Sequence, residues 1–241
     1  MIECKNVTLR YKNQLALDGV SFTLKENTIC GVLGRNGAGK TSLLALLAAY
    51  RRPTSGEVRV FGEDPYENPA IMPKIAFIAD KNEENNGFTV RDTLKLAAAF
   101  RPHWDEIYAQ KLVKRFELPL KKTMENLSHG QRAAVRAVVG LSSRCEVTIY
   151  DEAYLGMDAA FRKRFVSEIL DDFTQNPRTV LFSTHYINDM SNLFGEVLIL
   201  DKGKIAVFDN CDVLRQKRLD SESPTLQDLF IELTGGINSE R

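Results

Sequence analysis

The sequence predicts an α/β protein whose parallel sheet is built around a phosphate-binding loop, and three observations carry that prediction. Residues Gly34-Arg35-Asn36-Gly37-Ala38-Gly39-Lys40-Thr41 fit the pattern G-x-x-x-x-G-K-[ST] in full. The run 28–33 before them reads as a short buried strand, and 42–50 after them as an apolar helix rich in Leu and Ala. Further on, buried strands at 147–150 and 179–183 flank a helical stretch at 159–173, and a strand, helix, strand alternation calls for a parallel sheet with helices against it. Glycines at 34, 37 and 39 let the loop backbone turn its N–H groups inward, and the following helix points its positive end at the same place. An anion is expected there, with Lys40 reaching the β- and γ-phosphates of a nucleotide and the Thr41 hydroxyl on Mg²⁺.

The 241 residues suffice for one large domain, and one is expected. Lys plus Arg and Asp plus Glu both number 32, so charge gives no reason to expect a nucleic-acid partner. Cys4, Cys30, Cys145 and Cys211 are far apart with no C-x-x-C pair, which argues against a zinc site or a disulfide framework and for a reducing compartment. The first residues lack a basic stretch followed by an apolar run, so no signal peptide is expected. The most apolar stretches, 43–49 and 133–141, are far shorter than the roughly 20 residues a membrane span needs, and Arg136 interrupts the second.

Taken in order, residues 2–10 and 20–25 alternate apolar and polar, with Asp18-Gly19 between them, as half-exposed antiparallel strands do; 57–62 repeats the pattern. Residues 74–79 form a more continuously apolar strand. From about 88 to 145 strand signals give way to helical spacing, an inserted helical subdomain. Thr89 or Asp92 can cap its first helix, Pro102 ends it, and a second carries Ile107, Leu112, Val113 and Phe116; Trp104 between them reads as a core anchor. Residues 196–208 predict a hairpin turning at 201–203. The tail 211–236 is helical in pattern, with Leu226, Leu229, Phe230 and Leu233 on one face and Gly235-Gly236 at its end.

Four further constellations carry chemistry, each with a plainer alternative. Val147 to Glu152 is an apolar strand delivering two carboxylates, Asp151 suited to Mg²⁺ and Glu152 to orienting or deprotonating water; alone it also suits a solvated turn. Ser128 with Gln131 three residues later is a capping box, and the same helix end, with Gly130, also makes an anion site. One chain would then carry two phosphate-binding helix ends, which serve one nucleotide only if two copies face each other. His185, after an apolar strand, can reach a γ-phosphate oxygen or be an ordinary surface histidine, and Tyr11 can stack on an adenine or be a strand aromatic.

In this order the set resembles the nucleotide-binding subunits of ATP-binding cassette (ABC) transporters over essentially the whole length. Gly34 to Thr41 is similar to the Walker A loop, Leu127 to Gln131 to the L-S-G-G-Q signature, and Val147 to Glu152 to Walker B with its catalytic glutamate. Leu155-Gly156-Met157-Asp158 looks like the D-loop, Ser183-Thr184-His185 like the switch histidine, and Tyr11 like the adenine-stacking aromatic. The resemblance implies a single ABC ATPase domain, 1–241, on a P-loop NTPase core with a mixed parallel sheet, an N-terminal antiparallel β subdomain and the helical insertion. It implies Glu152 and His185 as catalytic residues, and Tyr11, 34–41, Ser128, Gly130, Gln131 and Asp158 as nucleotide-binding ones. It further implies ATP and Mg²⁺, a homodimer or a heterodimer with a second cassette, and separate transmembrane permease subunits at the inner face of a cell membrane. The tail 225–234 is similar to the ends of bacterial drug and bacitracin-type exporter cassettes and leans toward export. A soluble cassette in an assembly such as iron–sulfur biogenesis is the alternative; a DNA-repair or translation cassette would carry coiled-coil insertions or a basic surface, which the sequence lacks.

Three departures from the family pattern stand out. Asp80 stands where the Q-loop glutamine is usual and is expected to keep a metal role. His129 replaces the first signature glycine, adding bulk and a titratable group beside the phosphate; Ala153-Tyr154 replaces the usual Pro-Thr.

Overall fold

The computed structural model describes residues 1–80, 87–185, 187–216 and 225–235. Its elements are β1 (Ile2–Tyr11), β2 (Gln14–Leu24), β3 (Ile29–Gly34), α1 (Lys40–Leu47), β4 (Ser55–Val60), β5 (Ile75–Ala79), α2 (Val90–Ala99), α3 (Glu106–Arg115) and α4 (His129–Ser142). They continue with β6 (Val147–Asp151), α5 (Ala159–Gln175), β7 (Thr179–Ser183), α6 (Ile187–Met190), β8 (Glu196–Asp201), β9 (Lys204–Asn210), α7 (Cys211–Gln216) and α8 (Leu226–Thr234). The chain divides into two compact units, residues 1–72 with 178–241, and residues 73–177.

In the first unit β1 pairs antiparallel with β2 on one side and β4 on the other. The chain reverses at Lys12 and Asn13, with Lys12 at φ 49°, and not at Asp18-Gly19. Gly19, at φ 64°, is instead a bulge inside β2: Val7 faces Val20 while Leu9 faces Leu17. An extra residue there rephases the alternation, so Leu17 and Val20 are both buried although three positions apart, which is why the sequence pattern broke at that point.

The second sheet of this unit runs β7-β3-β8 in parallel and closes with antiparallel β9. Every residue of β3 is buried, as expected of a strand covered on both faces. The β8–β9 turn is made by Lys202 and Gly203, at φ 47° and 81°, the two positive dihedrals that a two-residue hairpin of right-handed twist needs. Asp201, predicted in the turn, is the last residue of β8. Helix α1 begins at Lys40, two residues before the predicted start, and stops short of Tyr50 because Ala49 turns to φ 64°. Leu43, Leu44, Leu46 and Leu47 bury its face. Helix α8 opens on a capping box between Thr225 and Asp228 and ends at Gly235, φ 69°; its Leu226 and Leu229 are buried, and the helix neighbours α6 and β3. Gly236, predicted at that end, lies outside the described residues.

In the second unit β5 and β6 pair in parallel, with Ala79 opposite Asp151. Thr89, not Asp92, is the N-cap of α2, and Asp92 completes the box by accepting from the Thr89 N–H. Trp104 is only half-buried, with its ring N–H donating to Glu106 Oε2 at 2.9 Å, so the expected anchor keeps its polar edge toward an exposed partner. Tyr108 anchors α3 instead. Its hydroxyl donates to Glu168 Oε1 of α5 at 3.0 Å, and Arg115 Nη1 lies 2.6 Å from Glu168 Oε2. Arg144 pairs with Asp105 at 3.0 Å and with Asp172, so the buried carboxylates of α5 each meet a cation. No helix among the described residues is long and apolar enough to cross a membrane.

Candidate functional site

The first unit supplies the loop between β3 and α1. Gly37 and Gly39 hold φ of 80° and 107°, so successive peptide groups turn toward one concavity at the head of α1, whose first N–H groups have no acceptor within the helix. The loop is braced from behind. The Gly203 N–H donates to Ala38 O at 3.0 Å, and the Asp18 N–H to Gly203 O at 2.9 Å. A Cβ on Gly39 would fall 2.6 Å from Ala16 O, and one on Gly34 would fall 2.8 Å from Leu200 O. Lys40 is 6% exposed, and its ammonium donates to Gly34 O at 2.8 Å and Arg35 O at 3.3 Å, across the mouth of the loop. Arg35, Asn36 and Thr41 are exposed, and Ala38 is buried. A lysine ammonium, a helix start and inward-turned peptide N–H groups fit an oligophosphate, and the Thr41 hydroxyl is an oxygen donor suited to Mg²⁺.

Two other predicted residues belong to this unit. His185 is exposed and follows β7; because Val32 of β3 pairs with Ser183, His185 and the phosphate loop leave the same sheet edge. Tyr11 ends β1, with the Arg51 guanidinium 4.9 Å from its ring centroid, so a cation covers a ring predicted to stack on a purine.

The second unit collects the carboxylates and the second helix end. Asp151 is 6% exposed, the last residue of β6, and Glu152 follows at φ 52°, a left-handed backbone rare for a glutamate that turns the chain sharply out of the strand. The Leu155 N–H donates to Glu152 O at 3.0 Å and the Met157 N–H to Tyr154 O at 3.1 Å, so 152–157 is a hydrogen-bonded loop. Ala153 and Tyr154, at the departure from the usual Pro-Thr, are buried; nothing in the structure explains their choice. Asp158 caps α5, accepting from the Phe161 N–H at 2.7 Å, a structural task beside its predicted nucleotide contact. Ser128 and Gln131 form the predicted capping box on α4: Ser128 Oγ accepts from the Gln131 N–H at 3.2 Å and Gln131 Oε1 from the Ser128 N–H at 3.1 Å. The Ser128 hydroxyl proton is not consumed by that bond, so the serine can cap its helix and still donate to an anion.

Asp80, for which a metal role is expected, has two nitrogen neighbours on α4. Arg136 Nη2 lies 2.7 Å and His129 Nε2 3.0 Å from the same oxygen, Oδ1. In the sequence Arg136 shows only as an interruption of an apolar run. The signal that marks it is its spacing: seven residues past His129, it shares that helix face. Among the described residues no group of three or more His, Cys, Asp or Glu forms a metal cage unaided.

A model of the ABC transporter family matches residues 17–155, more than half of the chain. Among similar curated proteins, the ABC transporter ATP-binding protein YtrB of Bacillus subtilis is 24% identical over 90% of this chain and 74% of its own. The daunorubicin resistance ATP-binding protein DrrA3 of Streptomyces coeruleorubidus is 28% identical over 86% and 67%. The energy-coupling factor transporter ATP-binding protein EcfA of Methanoculleus marisnigri is 28% identical over 91% and 85%. A solved ATP-binding subunit of an ABC transporter superposes with TM-score 0.85 at 22% identity, over 97% of this chain and 99% of that one. The dimeric cassette MJ0796, solved in a post-hydrolysis state with ADP and Pi, gives 0.78 at 20%, over 88% and 99%. With the fold, the phosphate loop and the family match in agreement, this chain belongs to the ABC transporter family, as a nucleotide-binding, ATP-hydrolysing member.

Proposed function

We propose that the chain drives an exporter, pairing with a second cassette on ATP and acting on separate membrane-spanning subunits. The observation that carries this reading is the presence of two phosphate-suited helix starts in one chain, α1 behind Gly39-Lys40 and α4 behind Ser128. On this reading Lys40 neutralises the β- and γ-phosphates and the loop N–H groups hold their oxygens. Thr41 and Asp151 would offer oxygens to Mg²⁺, which would supply charge neutralisation at those phosphates. Glu152 orients and deprotonates water, His185 donates to a γ-phosphate oxygen, and Tyr11 stacks on the base from the face away from Arg51. Ser128, Gly130, Gln131 and Asp158 act on the nucleotide held by the facing copy.

Contact with the membrane-spanning partner is assigned to the segment 80–105 and its surroundings. Phe100 and Ile107, 74% and 85% exposed, with Phe88 and Leu96, give the helical segment apolar surface that a buried interface would use. Export is favoured by the tail 225–234 and by the relative named for daunorubicin resistance.

The experiment is a pull-down of tagged Glu152→Gln protein from detergent-solubilised membranes with ATP and Mg²⁺, beside Lys40→Ala. A multi-span membrane protein captured by the first and lost with the second is expected. Capture of soluble proteins alone, with nucleotide binding still dependent on Lys40, leaves the ATPase and removes the transporter.

A further inference from the structure

We propose that His129 and Asp80 are positioning residues, a strut that sets the phosphate-facing start of α4 against the end of β5 and the loop after β6. The proposal rests on the reading of α4 as a nucleotide-facing helix end. Two of the departures from the family pattern, 49 positions apart in the sequence, touch: His129 Nε2 lies 3.0 Å from Asp80 Oδ1. Both neutral imidazole carrying its proton on Nε2 and imidazolium donate this bond, so the contact does not depend on charge.

Each end of the strut is fixed. Asp80 directly follows β5, and its N–H donates to Asp151 O at 3.3 Å, which anchors its backbone to the strand that carries the acidic pair. The same Oδ1 receives Arg136 Nη2 at 2.7 Å, from an arginine side chain only 9% exposed. One carboxylate oxygen therefore grips α4 at its first residue and again two turns later, which fixes the helix in both position and rotation.

The opposite side of the imidazole packs on Gly156. An ideal Cβ there would lie 1.9 Å from His129 Nδ1 and 2.5 Å from Cγ, so the ring occupies the space a side chain would need. One residue further, a Cβ on Gly130 would fall 2.8 Å from Gly156 O, so the start of α4 and the 155–158 loop meet backbone to backbone. The ring is wedged between Asp80 and this loop, and both segments bearing Ser128, Gly130, Gln131 and Asp158 take their placement from it.

The contact is a poor source of stability, because the His129 side chain is 46% exposed and exposed pairs are worth little. Its effect is on geometry: small misplacements of phosphate-holding groups cost rate far more than they cost folding. A glycine at 129 takes one of the two α4 contacts from the Asp80 carboxylate and removes the wedge under 155–158.

The test measures ATPase turnover and equilibrium ATP binding for the full chain with His129→Gly, Asp80→Asn, both together, and each on a Ser128→Ala background. Each single substitution is expected to lower kcat about fivefold with ATP affinity within about twofold, and the pair is expected to fall no further than its worse member, as for residues acting as one unit. On the Ser128→Ala background His129→Gly should add nothing, and His129→Gln, which keeps a side-chain N–H donor, should recover much of the loss. Amide exchange at 128–131 and 155–158 should quicken in the single variants, and the thermal midpoint should hold in His129→Gly, whereas Asp80→Asn also takes the charge from beside the buried Arg136 and should lower it. The proposal is overturned by unchanged kcat, by losses that multiply in the pair to about 25-fold, or by affinity falling in step with turnover. If the unmodified chain shows no Lys40-dependent hydrolysis, the functional reading fails, and the exchange measurement still judges the strut.

Discussion

Two glycines of the phosphate loop separate the need for an unusual backbone from the need for space. Gly37 and Gly39 both have positive φ, 80° and 107°, but a Cβ on Gly37 meets nothing within 4 Å, whereas one on Gly39 meets Ala16 O at 2.6 Å and Leu17 Cδ2 at 2.9 Å. Gly37→Ala is charged only with the left-handed conformation, about 1–2 kcal/mol. Gly39→Ala carries that cost at a φ well beyond the usual left-handed well, and its methyl must displace the backbone carbonyl of Ala16, which lies inside β2. Overpacking of this kind adds about 1–3 kcal/mol, for a total of about 2–5 kcal/mol. In a chain of this size 1 kcal/mol moves the thermal midpoint by about 2–4 °C, so Gly37→Ala is expected to lower it by about 4 °C and Gly39→Ala by about 10 °C. Scanning calorimetry of the nucleotide-free proteins measures the difference directly. Equal shifts would show that the loop glycines serve the backbone alone and that the packing of Ala16 behind Gly39 contributes nothing.

Glu168→Ala should destabilise by about 2–4 kcal/mol in urea unfolding, because it strands the Tyr108 hydroxyl inside the second unit and removes the partner of Arg115; an effect under 1 kcal/mol would mean that water replaces the carboxylate. Acid sensitivity should follow the helix caps. Hydrogen bonds from the Thr89 hydroxyl and N–H hold Asp92 below the usual carboxylate value. Burial alone would raise Asp105, yet the Tyr108 N–H and Arg144 bring it below that value as well. A lowered folded pKa gives stability that is present above the unfolded value and is lost as pH falls through the folded one, so stability should be level from pH 7 to 5 and drop below about pH 4. Glu196, raised chiefly by burial, works in the opposite sense. Stability that climbs steadily down to pH 3 would refute this assignment.

Local pattern was enough for much of the fold. Alternation gave β1, and the continuous apolar runs gave β3, β5, β6 and β7, because strands covered on both faces leave no polar positions. The Ser128 box, the Lys202-Gly203 turn and the glycine stop of α8 were legible because caps and tight turns are set by residues within a few positions of each other. Where a bulge rephases β2 at Gly19, the same logic left Asp18-Gly19 between two strands instead of inside one, since alternation records faces and not the pairing partner. Trp104 misled for a related reason: composition favours burial, and only the neighbouring Glu106 decided that its polar edge stays outside.

By itself, then, the sequence determined the phosphate loop, the acidic strand end and the second anion-suited helix start, each a contiguous motif whose chemistry is written in adjacent residues. It could not join Asp80 to His129 and Arg136, nor show that Gly156 is bare so that an imidazole can lie on it. Those relations form only when β5 is laid beside β6 and α4 is packed against both, bringing together groups that no local periodicity connects. Two substitutions that look like independent losses along the chain thereby become one contact in the fold.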